Sequence, residues 1–141
     1  MFYDQRLNAP ESPEELRTEY EADLAAIVDE YGLETVAAET DVDQDTLEAI
    51  GEEATPELDL EEAAQIQALE ADTPDADTIV TMACEHLLLG MSSAVLDVEA
   101  LESELGIDLE AKEIQQKIER RAPMTFEEFV HVQHAIADGM P

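Results

Sequence analysis

Apolar residues along this chain recur at three- and four-residue intervals, the spacing of one face of an α-helix. No stretch sustains the period-two alternation of a half-buried strand, and no Asn-Gly or Asp-Gly hairpin signal occurs. Ser12-Pro13-Glu14-Glu15 supplies an N-cap, a proline at the first helical position and a Glu at the third. The helix it opens carries Leu16, Tyr20, Leu24, Ile27, Val28 and Tyr31 on one face and stops at Gly32. Short helices are expected at about 34–40 and 44–53, the latter with Leu47 and Ile50 inward, before Pro56 breaks the chain. Asp59 and Glu62 form a capping pair for a helix at about 60–70, and Pro74-Asp75 marks the next boundary.

The second half opens with the most apolar helix, about 77–96, including Leu87, Leu88, Leu89, Met91, Val95 and Leu96. Being apolar nearly all round, it reads as a central core helix or a dimer interface. Helices follow at about 98–105, ending at Gly106, and at about 109–121, closed by Pro123. Thr125 with Glu128 caps a last helix that carries Phe126, Phe129, Val130, Val132 and Ile136. Residues 1–11 and 139–141 are expected to be loosely held.

The two halves are alike: 65 positions separate Val42-Asp43 from Ile107-Asp108, and 66 separate Asp59 from Thr125. The expected fold is all-α, with about eight short helices. It divides into a flexible segment at 1–11, a first helical half at 12–74 and a second at 75–141, the halves packed into one domain.

Charge changes this picture more than any motif. The chain has 37 acids and six bases, a net −31 over 141 residues, yet 45% of it is hydrophobic, enough for a core. Repulsion among such charges reaches about 30 Å at 0.01 M salt and only about 3 Å at 1 M. The composition therefore suits a salt-rich cytoplasm, with high monovalent salt needed for folding; an acidic mimic of nucleic acid is the alternative. One cysteine, Cys84, precludes an internal disulfide and fits a reducing compartment. No apolar run approaches the roughly 20 residues that span a bilayer, and no signal peptide opens the chain. A cytoplasmic location is expected.

Residues 18–111 contain no Lys or Arg, whereas four of the six bases fall between Lys112 and Arg121. With Ile114 and Ile118 inward, Lys112, Gln116 and Arg120 share the opposite face of the helix at 109–121, Gln115 borders that row, and Lys117 and Arg121 flank the buried stripe. Arg and Lys pair with phosphate or guanine edges and Gln reads adenine, so this face suits nucleic acid. The same residues serve structure equally well, as dipole-favoured cations in a last turn, a Glu113–Lys117 pair, or clamps on acidic neighbours.

Ala37, Val42, Leu47 and Ile50 in the first half, and Gly106-Ile107 with Ile114-Gln115-Gln116-Lys117-Ile118 in the second, resemble Cro/repressor-type helix-turn-helix domains. The first copy has Asp41 where that family usually has Gly, and its second motif helix is acidic. In the second copy Ile114 stands two residues farther from the Gly than the family spacing. The whole chain also resembles small acidic haloarchaeal proteins with no assigned function. The resemblance implies a non-enzymatic regulator contacting DNA through Lys112, Gln115, Gln116, Lys117, Arg120 and Arg121. The alternative is a protein-binding adaptor, monomer or homodimer, using the same helix or the apolar surface at 87–96.

Other constellations are weaker. Asp41-x-Asp43-x-Asp45 with Glu52 echoes a calcium loop, but Thr46 replaces the turn glycine that loop needs. His131 and His134 are one helical turn apart without further ligands nearby, and Cys84-x-His86 points to two helix faces, so no metal is expected. No nucleophile elbow, phosphate-binding glycine loop or HExxH motif appears, and neither enzyme chemistry nor a cofactor is expected.

Overall fold

Helices start where a side chain caps the free amides of the first turn, and most of those caps are legible locally. In the computed structural model, which describes residues 1–51 and 57–140, Ser12 Oγ accepts from Glu15 N at 3.2 Å and opens α1 (Pro13–Tyr31). There follow α2 (Leu33–Glu39), α3 (Gln44–Gly51) and α4 (Leu60–Gln67). Asp75 accepts from Thr78 N at 2.8 Å and opens α5 (Ala76–Ala94); Asp97 accepts from Ala100 N at 2.8 Å and opens α6 (Val98–Glu104). Then come α7 (Ala111–Ile118) and α8 (Phe126–Asp138). Capping boxes open α4 and α8: Asp59 N donates to Glu62 Oε1 and Thr125 N to Glu128 Oε1, both at 2.9 Å.

The fold is all-α. Among the described residues α1–α4 have 19, 7, 8 and 8 residues and α5–α8 have 19, 7, 8 and 13. The two capping boxes meet at an antiparallel bridge between Asp59 and Thr125. Leu60 N donates to Met124 O at 2.9 Å and Phe126 N to Leu58 O at 2.6 Å. The first amides of α4 and α8, left unpaired by their own helices, are thus satisfied by carbonyls just ahead of the other helix.

Helix α1 packs on α2, α3, α4 and α8, while α5 packs on α4, α7 and α8. Gly90 sets the α5–α8 approach: a Cβ there would meet Ile136 Cγ2 at 2.6 Å, so no larger residue fits without displacement. Among the described residues, no single helix is long and apolar enough to cross a membrane.

Four expectations need correction. Residues 1–11 are not loosely held throughout, because Phe2 and Tyr3 are buried in the core. The Phe2 ring meets Tyr3, Tyr20, Phe126 and Phe129 edge-on, with centroids 5.4–6.3 Å apart. His86 Nδ1 donates to Tyr3 O and His134 Nε2 to Pro10 O, both at 2.7 Å, so these imidazoles fasten the N-terminal segment. Second, α5 is not buried all round: Ile79, Val80, Ala83, Cys84, Leu87 and Met91 face inward, but Leu88, Leu89 and Val95 face out. Third, α7 ends at Ile118, three residues short of expectation, because Arg120 takes a positive φ of 63°. Fourth, Lys117 does not pair with Glu113; its partner is Glu128 of α8. In the calcium-like pattern, Asp41 and Asp43 precede α3 and Asp45 lies in its first turn. Glu52 and the helix-breaking Pro56 lie outside the described residues, as does Pro141.

Candidate functional site

Two surfaces compete as the functional site: the basic helix α7 and the outward face of α5. Three of the four cations at 112–121 are engaged within the chain. Lys117 Nζ lies 2.7 and 2.8 Å from the two carboxylate oxygens of Glu128, and both side chains are mostly buried. Arg120 donates to Asp77 Oδ1 at 2.9 Å and to Thr81 Oγ1 at 2.8 Å, tying the end of α7 to α5. Arg121 pairs with Glu119 at 2.7 Å. Gln115 is exposed and donates to Glu119 Oε2 at 3.2 Å, whereas Gln116 is half-buried. Lys112 is exposed and makes no ion pair among the described residues.

The expected row of Lys112, Gln116 and Arg120 therefore breaks at its far end. Arg121 N donates to Gln116 O at 2.8 Å and Arg120 N to Lys117 O at 3.1 Å. This is a Schellman closure, with Arg120 in the left-handed position usually given to Gly. Instead of continuing the helix, Arg120 turns toward α5. Lys117, Arg120 and Arg121 then border one cavity of about 450 Å³, floored by Val80, Cys84 and Met124; Lys112 and both glutamines lie outside it. Burial pushes the Cys84 thiol above its ordinary range, which makes it a poor nucleophile at neutral pH.

A larger polar cleft of about 760 Å³ runs beside α1 and α8 and includes Arg17, Glu21, Glu127 and His131. Arg17 Nε donates to Glu21 Oε1 at 2.9 Å, and Arg17 Nη1 lies 3.5 Å from Glu127. Burial raises the Glu21 carboxyl above its usual range, partly offset by Arg17. Burial also lowers the His131 imidazole below its usual range, with Glu127 and Glu14 opposing. Among the described residues, His131 Nδ1 is a buried side-chain nitrogen with no hydrogen-bond partner. His134 is spent on Pro10 O, so the two histidines do not act as a pair. No group of three or more His, Cys, Asp or Glu side chains among the described residues is placed to hold a metal ion.

The outward face of α5 is different in kind. On the C-terminal half of α5, Leu88 is 48% exposed and Leu89 54%, and Val95, the residue that caps the helix, is 88% exposed. Val95 ends α5 with φ 57° and ψ 48°, a left-handed conformation that is rare for a β-branched residue. The corresponding end of α1 is Gly32, φ 88°, where positive φ carries no side-chain penalty. Holding Val there costs on the order of 1–3 kcal/mol, and at 88% exposure it recovers almost nothing by burial. The sequence marked the apolar run at 87–96 but not which residues escape the core. Aligning the end of α1 with that of α5 brings Gly32 opposite Val95, and that is the available signal.

Residues 16–139 match the model of one family, described as a family of unknown function (DUF5791). No curated protein matches the chain, and neither does any solved structure.

Proposed function

We propose, from the premise that the chain belongs to DUF5791, a family of unknown function, that it is a non-enzymatic interaction module docking a partner protein on the C-terminal half of α5. The observation that carries this reading is Val95: an apolar, β-branched side chain kept in a costly conformation, almost wholly in solvent. Leu88 and Leu89 extend it into a ridge of apolar side chains. Clusters of this kind, in contrast to single exposed leucines, mark interaction sites. The environment we read for the module is a salt-rich cytoplasm, where −31 charges are screened and an apolar contact gains weight relative to a charged one.

A second reading, nucleic acid on α7, is favoured by Lys112 and Gln115, both exposed, with Arg121 at 63% side-chain exposure. It ranks lower because Lys117 and Arg120 would have to leave Glu128 and Asp77 before reaching phosphate. Screening also weakens phosphate contacts, by about 0.9 log units per contact for each decade of salt.

The test is a set of comparative pull-downs in about 1–2 M KCl, where surface charge is screened, with and without nuclease. A Leu88→Ser/Leu89→Ser double variant should lose a partner that a Lys112→Ala/Arg121→Ala variant keeps, with nuclease making no difference. The opposite pattern replaces this reading with the nucleic-acid one.

A further inference from the structure

The chemistry of that partner is written around the ridge. Between Arg17 and Lys112 the chain holds 28 acids and no Lys or Arg. Glu85 precedes the ridge on α5, while Asp97 and Glu99 follow it at the start of α6; all three are exposed. Asp97 also caps α6, accepting from Ala100 N at 2.8 Å. The cation that reaches this helix, Arg120, sits two turns before Leu88 and is already held by Asp77 and Thr81. An apolar strip bordered by carboxylates therefore favours an occupant bringing apolar side chains flanked by Lys or Arg. Seven residues separate Leu88 from Val95, roughly 10 Å or two turns along a helix. A ridge of this shape packs between the side-chain rows of another helix. A pairing strand has little to join, since the one β-contact among the described residues is the isolated Asp59–Thr125 bridge.

A second copy of the chain fits less well. An isologous contact would put the same acidic surface on both sides, and neither copy would bring Lys or Arg to Glu85, Asp97 and Glu99 of the other. We infer that the ridge of Leu88, Leu89 and Val95 receives a basic amphipathic helix of another protein, an inference resting on the docking function proposed above. The apolar ridge supplies a contact that survives salt, and the acidic rim selects the sign of the partner and its orientation.

The experiment uses two synthetic helical peptides of equal length with the same leucine face, one flanked by Lys and one by Glu. Their binding to the full chain is measured at about 1 M KCl, where a screening length of roughly 3 Å suppresses diffuse attraction to the acidic surface. The Lys peptide is expected to bind and the Glu peptide not. Leu88→Ser with Leu89→Ser should weaken binding by on the order of tenfold or more. Glu85→Gln with Glu99→Gln should weaken the Lys peptide while narrowing its advantage over the Glu peptide. Val95→Gly serves as the variant that cannot fail by unfolding: the melting temperature should rise as positive φ is relieved, while affinity falls.

Equal binding of both peptides, lost in the Leu88/Leu89 variant, overturns the basic partner and leaves the docking ridge standing. Peptide binding indifferent to Leu88, Leu89 and Val95 overturns the ridge itself. Sedimentation showing a wild-type dimer that the Leu88→Ser/Leu89→Ser variant abolishes makes the occupant a second copy and ends the inference.

Discussion

Gln133 Nε2 donates to the carbonyl of Phe2 at 3.1 Å, joining residues 131 positions apart. The Oε1 of the same amide accepts from the Tyr20 hydroxyl, so one buried side chain fastens the N-terminal segment, α1 and α8 together. Phe2, 2% exposed, fills the space between these elements. Phe2→Ala should therefore cost about 3–5 kcal/mol, as for other large-to-small core changes. Urea unfolding measures it; a change under about 1 kcal/mol would place Phe2 outside the core.

The two sides of α5 predict opposite responses to the same substitution. Leu87 is 2% exposed and Leu88 48%. Leu87→Asp buries an uncompensated charge and should cost about 3–5 kcal/mol, whereas Leu88→Asp should stay near the about 0.5 kcal/mol of surface changes. Thermal melts of the two variants in the same salt make the comparison, and equal losses would mean that Leu88 is covered.

Lys117 and Lys112 share a helix but not a role. Lys117→Ala strands a mostly buried Glu128, which also closes the α8 capping box, and should cost about 1–3 kcal/mol. Lys112→Ala should cost nothing measurable. A Glu128→Gln background tests the cause, because the penalty for Lys117→Ala should shrink there; a penalty unchanged in that background would put it down to lost packing of the lysine stem.

His131 gives a pH dependence of definite sign. Its imidazole titrates lower in the fold than in the unfolded chain, chiefly because it is buried. Its contribution to stability is complete above about pH 6.5, the ordinary histidine value, and is lost as pH falls below that toward the lowered folded value. Glu127, Glu14, Arg17 and His134 all act on the group. Wild type should lose more stability than His131→Leu between pH 7.5 and 5.5 in about 1 M KCl. Parallel curves would show that the ring carries no linkage.

Salt is expected to decide whether −31 charges and a packed core coexist. Moving from about 2 M to about 0.01 M KCl lengthens the screening distance to about 30 Å, and repulsion then spans the whole molecule. The chain should expand or unfold, seen as lost helical circular dichroism and a larger scattering radius. Signals unchanged across that range would contradict the salt-adapted reading.

What the sequence disclosed was local. Ser12, Asp59 with Glu62, and Thr125 with Glu128 each cap a helix within three residues of themselves, so all were legible before any tertiary contact was known. What it hid depends on distant partners. Phe2 is held by α8, and Arg120 by Asp77 and Thr81 some forty residues earlier. The periodicity of α5 is ambiguous because its outward residues are leucines as well; only the packing of Gly90 on Ile136 assigns the inner face. The cations at 112–121 cluster in the sequence, but Lys117 and Arg120 find their partners on α8 and α5, which no spacing within residues 112–121 encodes.

The anchoring of Phe2 by Gln133 has a consequence for synthesis. The 131 residues separating them take roughly 7–26 s to make at ribosomal rates of about 5–20 residues per second. Until α8 is made, Phe2 and Tyr3 lack the Phe126, Phe129 and Gln133 side chains that cover them in the fold. These two aromatics are made well before the residues that cover them. A growing chain of this protein therefore carries an exposed apolar segment until α8 is made, and that interval is when a chaperone would have something to hold.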